Sequence, residues 1–301
     1  MTIDQLNAEF GISNQLTIVE GNGGFPVIDI SNDQATAKIS VYSGQVLSFQ
    51  PKGEAKDLMF LSKAAYYKPG KAIKGGIPIC WPWFGPDPEG KGRASHGFVR
   101  NRMWHLLSTE ATTSGETKVQ LGVSASDETK EIWPHSFELV IEIIIGAQLT
   151  VTLTTKNTGD KAFSITQAMH TYMTIGDVNK VSVTGLEGGA YLDKTDGGEA
   201  KVQEGAIAIS SETDRIYTNV GPEIIVNDEA LGRRIKITTS GSSTAIVWNP
   251  WTEISANMAD LEDDAYQHFI CVEAANAADD VIEIAAGSHY QLQATYAIER
   301  G

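Results

Sequence analysis

Only two cysteines, Cys80 and Cys271, occur in the 301 residues. They lie far apart, in I-P-I-C-W and F-I-C-V, with no metal-ligand spacing. A cysteine in such an apolar run acts as a small hydrophobe, so two buried free thiols are expected, with a disulfide as the alternative. Long hydrophobic runs are missing as well. The most apolar stretch, Leu139–Gly146, is broken by Glu142 and falls far short of the roughly 20 residues a bilayer-crossing helix needs. The opening M-T-I-D carries neither a basic nor an apolar region, so no secretory leader is expected and a cytoplasmic setting is. Cations are scarce: 23 Lys and Arg stand against 38 Asp and Glu, for a net charge of −15. That balance argues against nucleic acid or an anionic membrane as partner. Helical periodicity is thin. Thr2–Phe10 is expected to form a short helix with Thr2 as N-cap and Gln5 completing a capping box, and Glu128–Trp133 about one turn.

What the chain does hold is strand. Ala35–Tyr42, Lys118–Val123, Phe137–Ile145, Gln148–Lys156, Ile235–Thr239 and His289–Ile298 alternate polar with apolar or are β-branched, the pattern of half-buried strands. Turn sequences separate them, among them Asn22-Gly23-Gly24, Asn157-Thr158-Gly159-Asp160, Asp196-Gly197-Gly198 and Ser240-Gly241-Ser242. Repeats, low-complexity tracts and linkers are absent, so one all-β, antiparallel domain spanning residues 1–301 is expected. A sheet scaffold positions and loops act, which turns attention to the long stretch Lys63–Arg102.

That stretch contains the one cationic island. Residues 68–102 carry Lys68, Lys71, Lys74, Lys91, Arg93, Arg100 and Arg102 against Asp87 and Glu89, a local charge of +5 that leaves −20 for the rest of the chain. Gly, Pro and aromatic residues fill the same window (G-G-I-P-I-C-W-P-W-F-G-P and S-H-G-F-V-R). Rigid loops with apolar floors and clustered cations suit a small organic anion such as a phosphate ester.

Six histidines can be weighed one by one. His105, His135, His268 and His289 sit beside bulky apolar residues or strands without polar company and read as structural. His96, inside the cationic window, is as open to a ligand role as to a structural one. His170 stands alone among apolar neighbours in I-T-Q-A-M-H-T-Y-M, and Glu273 ends the apolar run F-I-C-V. From the residues alone a satisfied core histidine is the commoner outcome. Yet a carboxylate so placed is desolvated, which raises its pKa, and buried acids are usually paired or functional. One His and one Glu, each embedded in strand, form a workable acid–base pair across a substrate. Competing chemistries lack their motifs: there is no H-E-x-x-H, no Cys/His cluster, no P-loop and no G-x-S-x-G, and Glu273 has no evident second carboxylate in the sequence for glycoside hydrolysis.

Eight segments in order, A-I-K-G-G-I-P-I-C-W-P-W-F-G (72–85), S-H-G-F-V-R-N (95–101), W-P-H-S-F-E-L (133–139), H-T-Y-M (170–173), G-L-E-G-G-A-Y-L-D-K (185–194), E-T-D-R-I-Y (212–217), V-W-N-P-W (247–251) and I-C-V-E-A (270–274), resemble the hexose-6-phosphate mutarotases, the glucose-6-phosphate 1-epimerase branch of the aldose 1-epimerase superfamily. The resemblance implies a large antiparallel β-sandwich of the galactose-mutarotase type. It implies catalysis by His170 and Glu273, and sugar and phosphate contacts at Lys74, Ser95, Arg100 and Asp214. Some positions depart from the family pattern. Lys74 stands where arginine is usual and loses the planar fork for bidentate phosphate contact, so Arg93 or Arg100 is expected to bear more of the phosphate. Ser95 is shorter than its counterparts can be, V-E-A-A replaces V-E-P, and Met173 replaces a common Phe.

The resemblance further implies a cofactor-free, metal-free isomerase acting on a small-molecule sugar phosphate, expected as a monomer. Glu273 would take the proton of the anomeric hydroxyl while protonated His170 donates to the ring oxygen, with His96 among the substrate contacts. Trp81, Trp83 and Trp248 are candidates for an apolar face under the sugar, though packing is the commoner role for each. Two other readings stay open: an aldose 1-epimerase of unphosphorylated sugars, and a non-catalytic sugar-phosphate-binding sandwich.

Overall fold

The computed structural model describes residues 1–300. A nine-stranded antiparallel sheet runs, from edge to edge, through Ile207–Ala208, Val181–Thr184, Glu223–Asp228, Arg233–Ser240, His289–Glu299, Leu149–Asn157, Phe137–Ile145, Thr117–Ser124 and His105–Ala111. Its strands show why the alternation in the sequence mattered. In Phe137–Ile145 the side chains of Leu139, Ile141, Ile143 and Ile145 point into the core, while Glu138 and Glu142 sit on the opposite face. Each buried aliphatic contributes ~1.5–3 kcal/mol over an exposed one, so a slip of one residue would be prohibitive.

The eight-stranded sheet carries Asp214 and Glu273, with His170 between two of its strands. Its order is Glu199–Val202, Ala190–Asp193, Thr213–Thr218, Thr244–Asn249, Phe269–Asn276, Gln167–Met169 and Ile79–Cys80, and Tyr172–Thr174 also pairs with Phe269–Asn276. All eight residues of Phe269–Asn276 are buried, because both faces of this strand are covered. Ile270, Val272 and Ala274 join the main core with the nine-stranded sheet. Phe269, Cys271 and Ala275 point the other way, into two smaller apolar clusters with Tyr172, Leu261, Cys80 and Ile246. Glu273 belongs to that second face by the same period of two.

A four-stranded meander, Leu16–Glu20, Pro26–Ser31, Ala35–Ser40 and Gln45–Pro51, and the pair Phe163–Ile165 with Ile282–Ile284 complete the strands. The strand expected over Ala35–Tyr42 ends at Ser40. Tyr42 instead stacks on Phe25, with ring centroids 4.1 Å apart, and its hydroxyl donates to the Lys71 carbonyl at 2.7 Å, tying the cationic loop to the meander. The first helix, Ile3–Phe10, has Thr2 as N-cap and the expected capping box with Gln5. The second lies at Asp127–Ile132, capped by Ser126, one residue ahead of expectation; Trp133 leaves the helix to pack edge-on against Trp81 at 5.1 Å. A third helix, Trp251–Asn257, was not expected, since Pro250 at its N-cap offers no side-chain acceptor. Its entry is set by Asn249 two residues upstream, whose side-chain oxygen accepts the Trp251 N–H at 2.9 Å. Among the described residues no helix is long and apolar enough to cross a membrane.

Candidate active site

The second face of the eight-stranded sheet is roofed by the segments around residues 73–101 and 251–262, leaving a cavity of about 260 Å³ lined by Lys74, Phe84, His96, Arg100, His170, Tyr172, Asp214, Ile246, Trp248, Met258 and Glu273. Sheet register assembles its floor. Ile246 is the cross-strand partner of Glu273, Trp248 of Cys271, and Asp214 of Trp248. His170 occupies the break between Gln167–Met169 and Tyr172–Thr174, two short strands that both pair with Phe269–Asn276. Leaving the ladder at that break frees its side chain to turn inward, where it stacks flat on Tyr172 (4.8 Å, 7°) and meets Trp248 edge-on at 5.7 Å.

His170 Nδ1 lies 3.2 Å from Glu273 Oε1, with the His170 side chain 12% and that of Glu273 1% exposed. The two groups are close but not aligned as a hydrogen bond, and both His170 Nδ1 and Glu273 Oε2 are buried without a partner. Burial, reinforced by Asp214 and opposed by Arg100, raises the Glu273 carboxyl well above the usual range. Burial also holds the His170 imidazole well below its ordinary value, with His96, Arg100 and Lys74 acting in the same direction. Desolvation penalises the charged form of each, so burial moves a singly protonated pair away from carboxylate–imidazolium and toward carboxylic acid–imidazole.

Around this pair the polar groups fall into distinct states. His96 accepts the Gly85 N–H on Nδ1 at 3.3 Å, which leaves the proton on Nε2 of the neutral ring. Burial, then Arg100 and Lys74, push its pKa down to about 3. Asp214 is raised by burial. Lys74 is lowered by burial and steadied by Asp260 at 3.5 Å. Arg100 has no carboxylate within ion-pair range among the described residues; its Nη2 donates to the Ser95 carbonyl at 3.2 Å. A second recess of about 170 Å³, lined by Tyr66, Lys71, Lys74, Arg100, Tyr172 and Asp260 among others, shares Lys74, Arg100 and Tyr172 with the first.

The cationic island therefore divides. Lys74 and Arg100 reach the cavity. Arg93 does not, contrary to its expected place beside the phosphate. Its guanidinium lies over Trp83 at 4.3 Å and donates from Nε to Asp87 at 2.9 Å and from Nη2 to Glu89 at 3.0 Å. The two acids of the window neutralise Arg93 and Lys91 within the loop, and Arg102 turns to Phe98 and Glu128. Ser95 also lies outside the cavity lining and supports Arg100 through its backbone. Trp81 is fully buried with Nε1 on Thr155, and Trp83 donates to the Ala94 carbonyl, so of the three tryptophans only Trp248 faces the cavity. Phe84, Tyr172, Ile246 and Met258 were not foreseen. Tyr172 stood two residues from His170 in an alternating run, which would have placed it on the same face; Met258 and Asp260, beyond a helix whose N-cap residue offers no acceptor, left no such trace.

Glycine lets the loops lie this close. Gly76 and Gly97 have φ of +62° and +73°, and a Cβ on either would collide with the Val46 or the Trp81 carbonyl oxygen. Only glycine adopts that backbone at no steric cost, and each sits one or two residues from a cavity side chain, Lys74 or His96.

The profile of the aldose 1-epimerase family matches residues 26–297. The chain belongs to this isomerase family. Among its relatives, a protein of Escherichia coli K12 named "Putative glucose-6-phosphate 1-epimerase" is 37% identical over 254 residues, covering 84% of each chain. One of the same name from Cenchrus ciliaris is 35% identical over 264 residues, covering 85% of this chain and 79% of its own. In three dimensions the chain is similar to a crystal structure titled as a putative mutarotase from Salmonella typhimurium, with a TM-score of 0.89 at 28% identity over 99% of both chains. A galactose mutarotase-like protein of Clostridium acetobutylicum shares the fold at 13% identity, with a TM-score of 0.73 over 96% of this chain and 100% of its own. The family thus brings the galactose mutarotase-like β-sandwich, all-β and antiparallel, that the two large sheets build.

Proposed function

We propose that this chain is a hexose-6-phosphate mutarotase, interconverting the α and β anomers of an aldohexose 6-phosphate without a cofactor. The observation that carries the reading is the proximity of His170 and Glu273 at 3.2 Å, beside an arginine with no carboxylate partner among the described residues. Mutarotation exchanges protons at two oxygens bonded to the same carbon, the anomeric hydroxyl and the ring oxygen. An acid and a base in van der Waals contact suit two acceptor and donor atoms that close together.

In the forward step the Glu273 carboxylate takes the proton of the anomeric hydroxyl. The electron pair of that O–H forms the carbonyl, the bond from the anomeric carbon to the ring oxygen breaks, and the His170 imidazolium protonates the departing oxygen. The aldehyde turns about its bond to the neighbouring carbon and recloses on its other face, with both transfers reversed. Each group is thus acid one way and base the other, and opposed burial shifts on the two groups support such an exchange. His96, with its proton on Nε2, and Asp214 orient the sugar hydroxyls, and Trp248 offers an apolar face. Arg100 with Lys74 holds the phosphate in the adjoining recess by charge-assisted contacts. Substrate class is supported by the names of the relatives at 35–37% identity. The reaction belongs to sugar-phosphate metabolism in a cytoplasmic, reducing compartment, which two free buried thiols fit.

The test is the optical-rotation relaxation of freshly dissolved α-glucose 6-phosphate. Glu273→Gln and His170→Asn should each lose ~10²–10⁴-fold of the enzymatic rate. Unchanged rates in either variant would remove that residue from the chemistry.

A further inference from the structure

Cys271 has no part in the sugar chemistry, yet it stands on the same strand face as Glu273, two residues before it. One ligand atom each from His170, Cys271 and Glu273 lies within 4.8 Å of the others, and Cys271 and Glu273 are buried. Two of the buried polar atoms there, His170 Nδ1 and Glu273 Oε2, lack any hydrogen-bond partner. A Zn²⁺ ion binds sulfur at about 2.3 Å and nitrogen or oxygen at about 2.0–2.2 Å in a tetrahedron, which sets its ligand atoms roughly 3.3–3.8 Å apart. The ligand atoms lie within 4.8 Å of one another, so the three groups need a contraction of up to about 1.5 Å to meet that geometry. Charge also fits. A thiolate and a carboxylate offset the two positive charges of the ion and the imidazole stays neutral, so a buried, uncharged complex results beside Lys74 and Arg100.

We propose that His170, Cys271 and Glu273 form a binding site for a thiophilic divalent cation of the zinc class, and that its occupation blocks mutarotation by engaging both proton-transfer groups. Binding displaces two protons to solvent, one from the thiol and the one held by the His170–Glu273 pair. Water or a sugar oxygen takes the fourth position. The set of donors, one sulfur with one nitrogen and one oxygen, selects zinc, cobalt or cadmium over magnesium and calcium, which take oxygen ligands.

The blockade rests on the proposed mutarotase reading, whereas the metal site does not, and the experiment separates them. The purified chain is titrated with Co²⁺ and followed by absorption, then with Zn²⁺ to displace it. The expected result is a single saturable site with a thiolate-to-cobalt charge-transfer band, abolished in Cys271→Ser and retained in Cys80→Ser. Zinc affinity in Cys271→Ser should fall at least ~100-fold, the upper end of what losing an outer-shell partner costs. Cys271→Ala, checked for folding by circular dichroism, repeats the test without a hydroxyl. Wild-type mutarotation should stop at stoichiometric Zn²⁺ and return with chelator, while Cys271→Ser keeps its rate under the same zinc. Absence of the band, or a band unchanged in Cys271→Ser, overturns the site. A normal band in a protein that accelerates no sugar's mutarotation would instead overturn the reading of function and leave the metal site standing.

Discussion

Arg100 is the residue whose loss should say most about substrate. It reaches the cavity, shares the adjoining recess and has no carboxylate partner among the described residues. A hydrogen bond to a charged group contributes ~1.5–3 kcal/mol, so Arg100→Ala should raise KM for glucose 6-phosphate by about 10–100-fold and leave KM for free glucose nearly unchanged. Steady-state kinetics on the two sugars decides this; an equal rise for both would detach Arg100 from the phosphate. Lys74, held by Asp260 at 3.5 Å, should have the smaller effect. At this scale the sequence was partly legible. His170 and Glu273 stood out because one polar group in an apolar strand demands a reason, and the family motifs then named them. Arg93 misled because net charge in a window says nothing about pairing: Asp87 and Glu89, counted as minor deductions, are the partners that retire it from the cavity.

The element that follows from that pairing is the loop 85–97. Asp87 accepts the Lys91 N–H at 2.7 Å, the Arg93 N–H at 3.1 Å and the Arg93 guanidinium, while Arg93 also donates to the Ile132 carbonyl at 3.1 Å. The loop thus anchors itself to the second helix and presents His96 to the cavity from its far end. Arg93→Ala should lower Tm, because the Asp87 carboxylate and the Ile132 carbonyl lose their donors, yet leave KM for glucose 6-phosphate close to wild type. Thermal unfolding alongside the kinetics checks both; a KM rise as large as that of Arg100→Ala would return Arg93 to the phosphate. Strands with clean alternation, such as Phe137–Ile145, were legible to the residue. Phe269–Asn276 was harder, since burial on both faces erases the alternation that reveals a strand's direction. The helix Trp251–Asn257 escaped because its cap comes from Asn249 rather than from the residue at the N-cap.

At the scale of the whole molecule, the cavity stores groups held away from their preferred charge. His96 falls from an ordinary 6.5 to about 3, chiefly by burial. Below pH 6.5 the unfolded chain binds a proton at this position that the folded chain refuses, so its contribution to stability is full above 6.5 and declines as pH falls toward about 3. Glu273, raised by burial, acts in the opposite sense: the folded chain holds its proton longer, and stability is lost as pH rises past the ordinary carboxylate range. Subtraction isolates His96. The unfolding free energy of wild type minus that of His96→Asn, from denaturant titrations, should fall steadily between pH 6.5 and about 3. A difference independent of pH would mean that His96 charges freely in the folded protein. The two-sheet sandwich itself was legible from strands without a composition break, because a chain with that much alternation must bury one face of each sheet against another. The roof over the second face was not, since its loops are specified by tertiary contacts such as Tyr42 on the Lys71 carbonyl.

The central claim is that this fold accelerates anomer exchange of a phosphorylated hexose through His170 and Glu273. Saturation transfer by NMR between the two anomeric proton signals of glucose 6-phosphate, with free glucose as the comparison sugar, tests it most directly. Fast, enzyme-dependent transfer for the phosphate ester, much slower transfer for glucose, and loss of transfer in both Glu273→Gln and His170→Asn is the expected result. Equal transfer for both sugars would contradict the anion recess and leave an epimerase of unphosphorylated sugars; no transfer with either would contradict the enzyme.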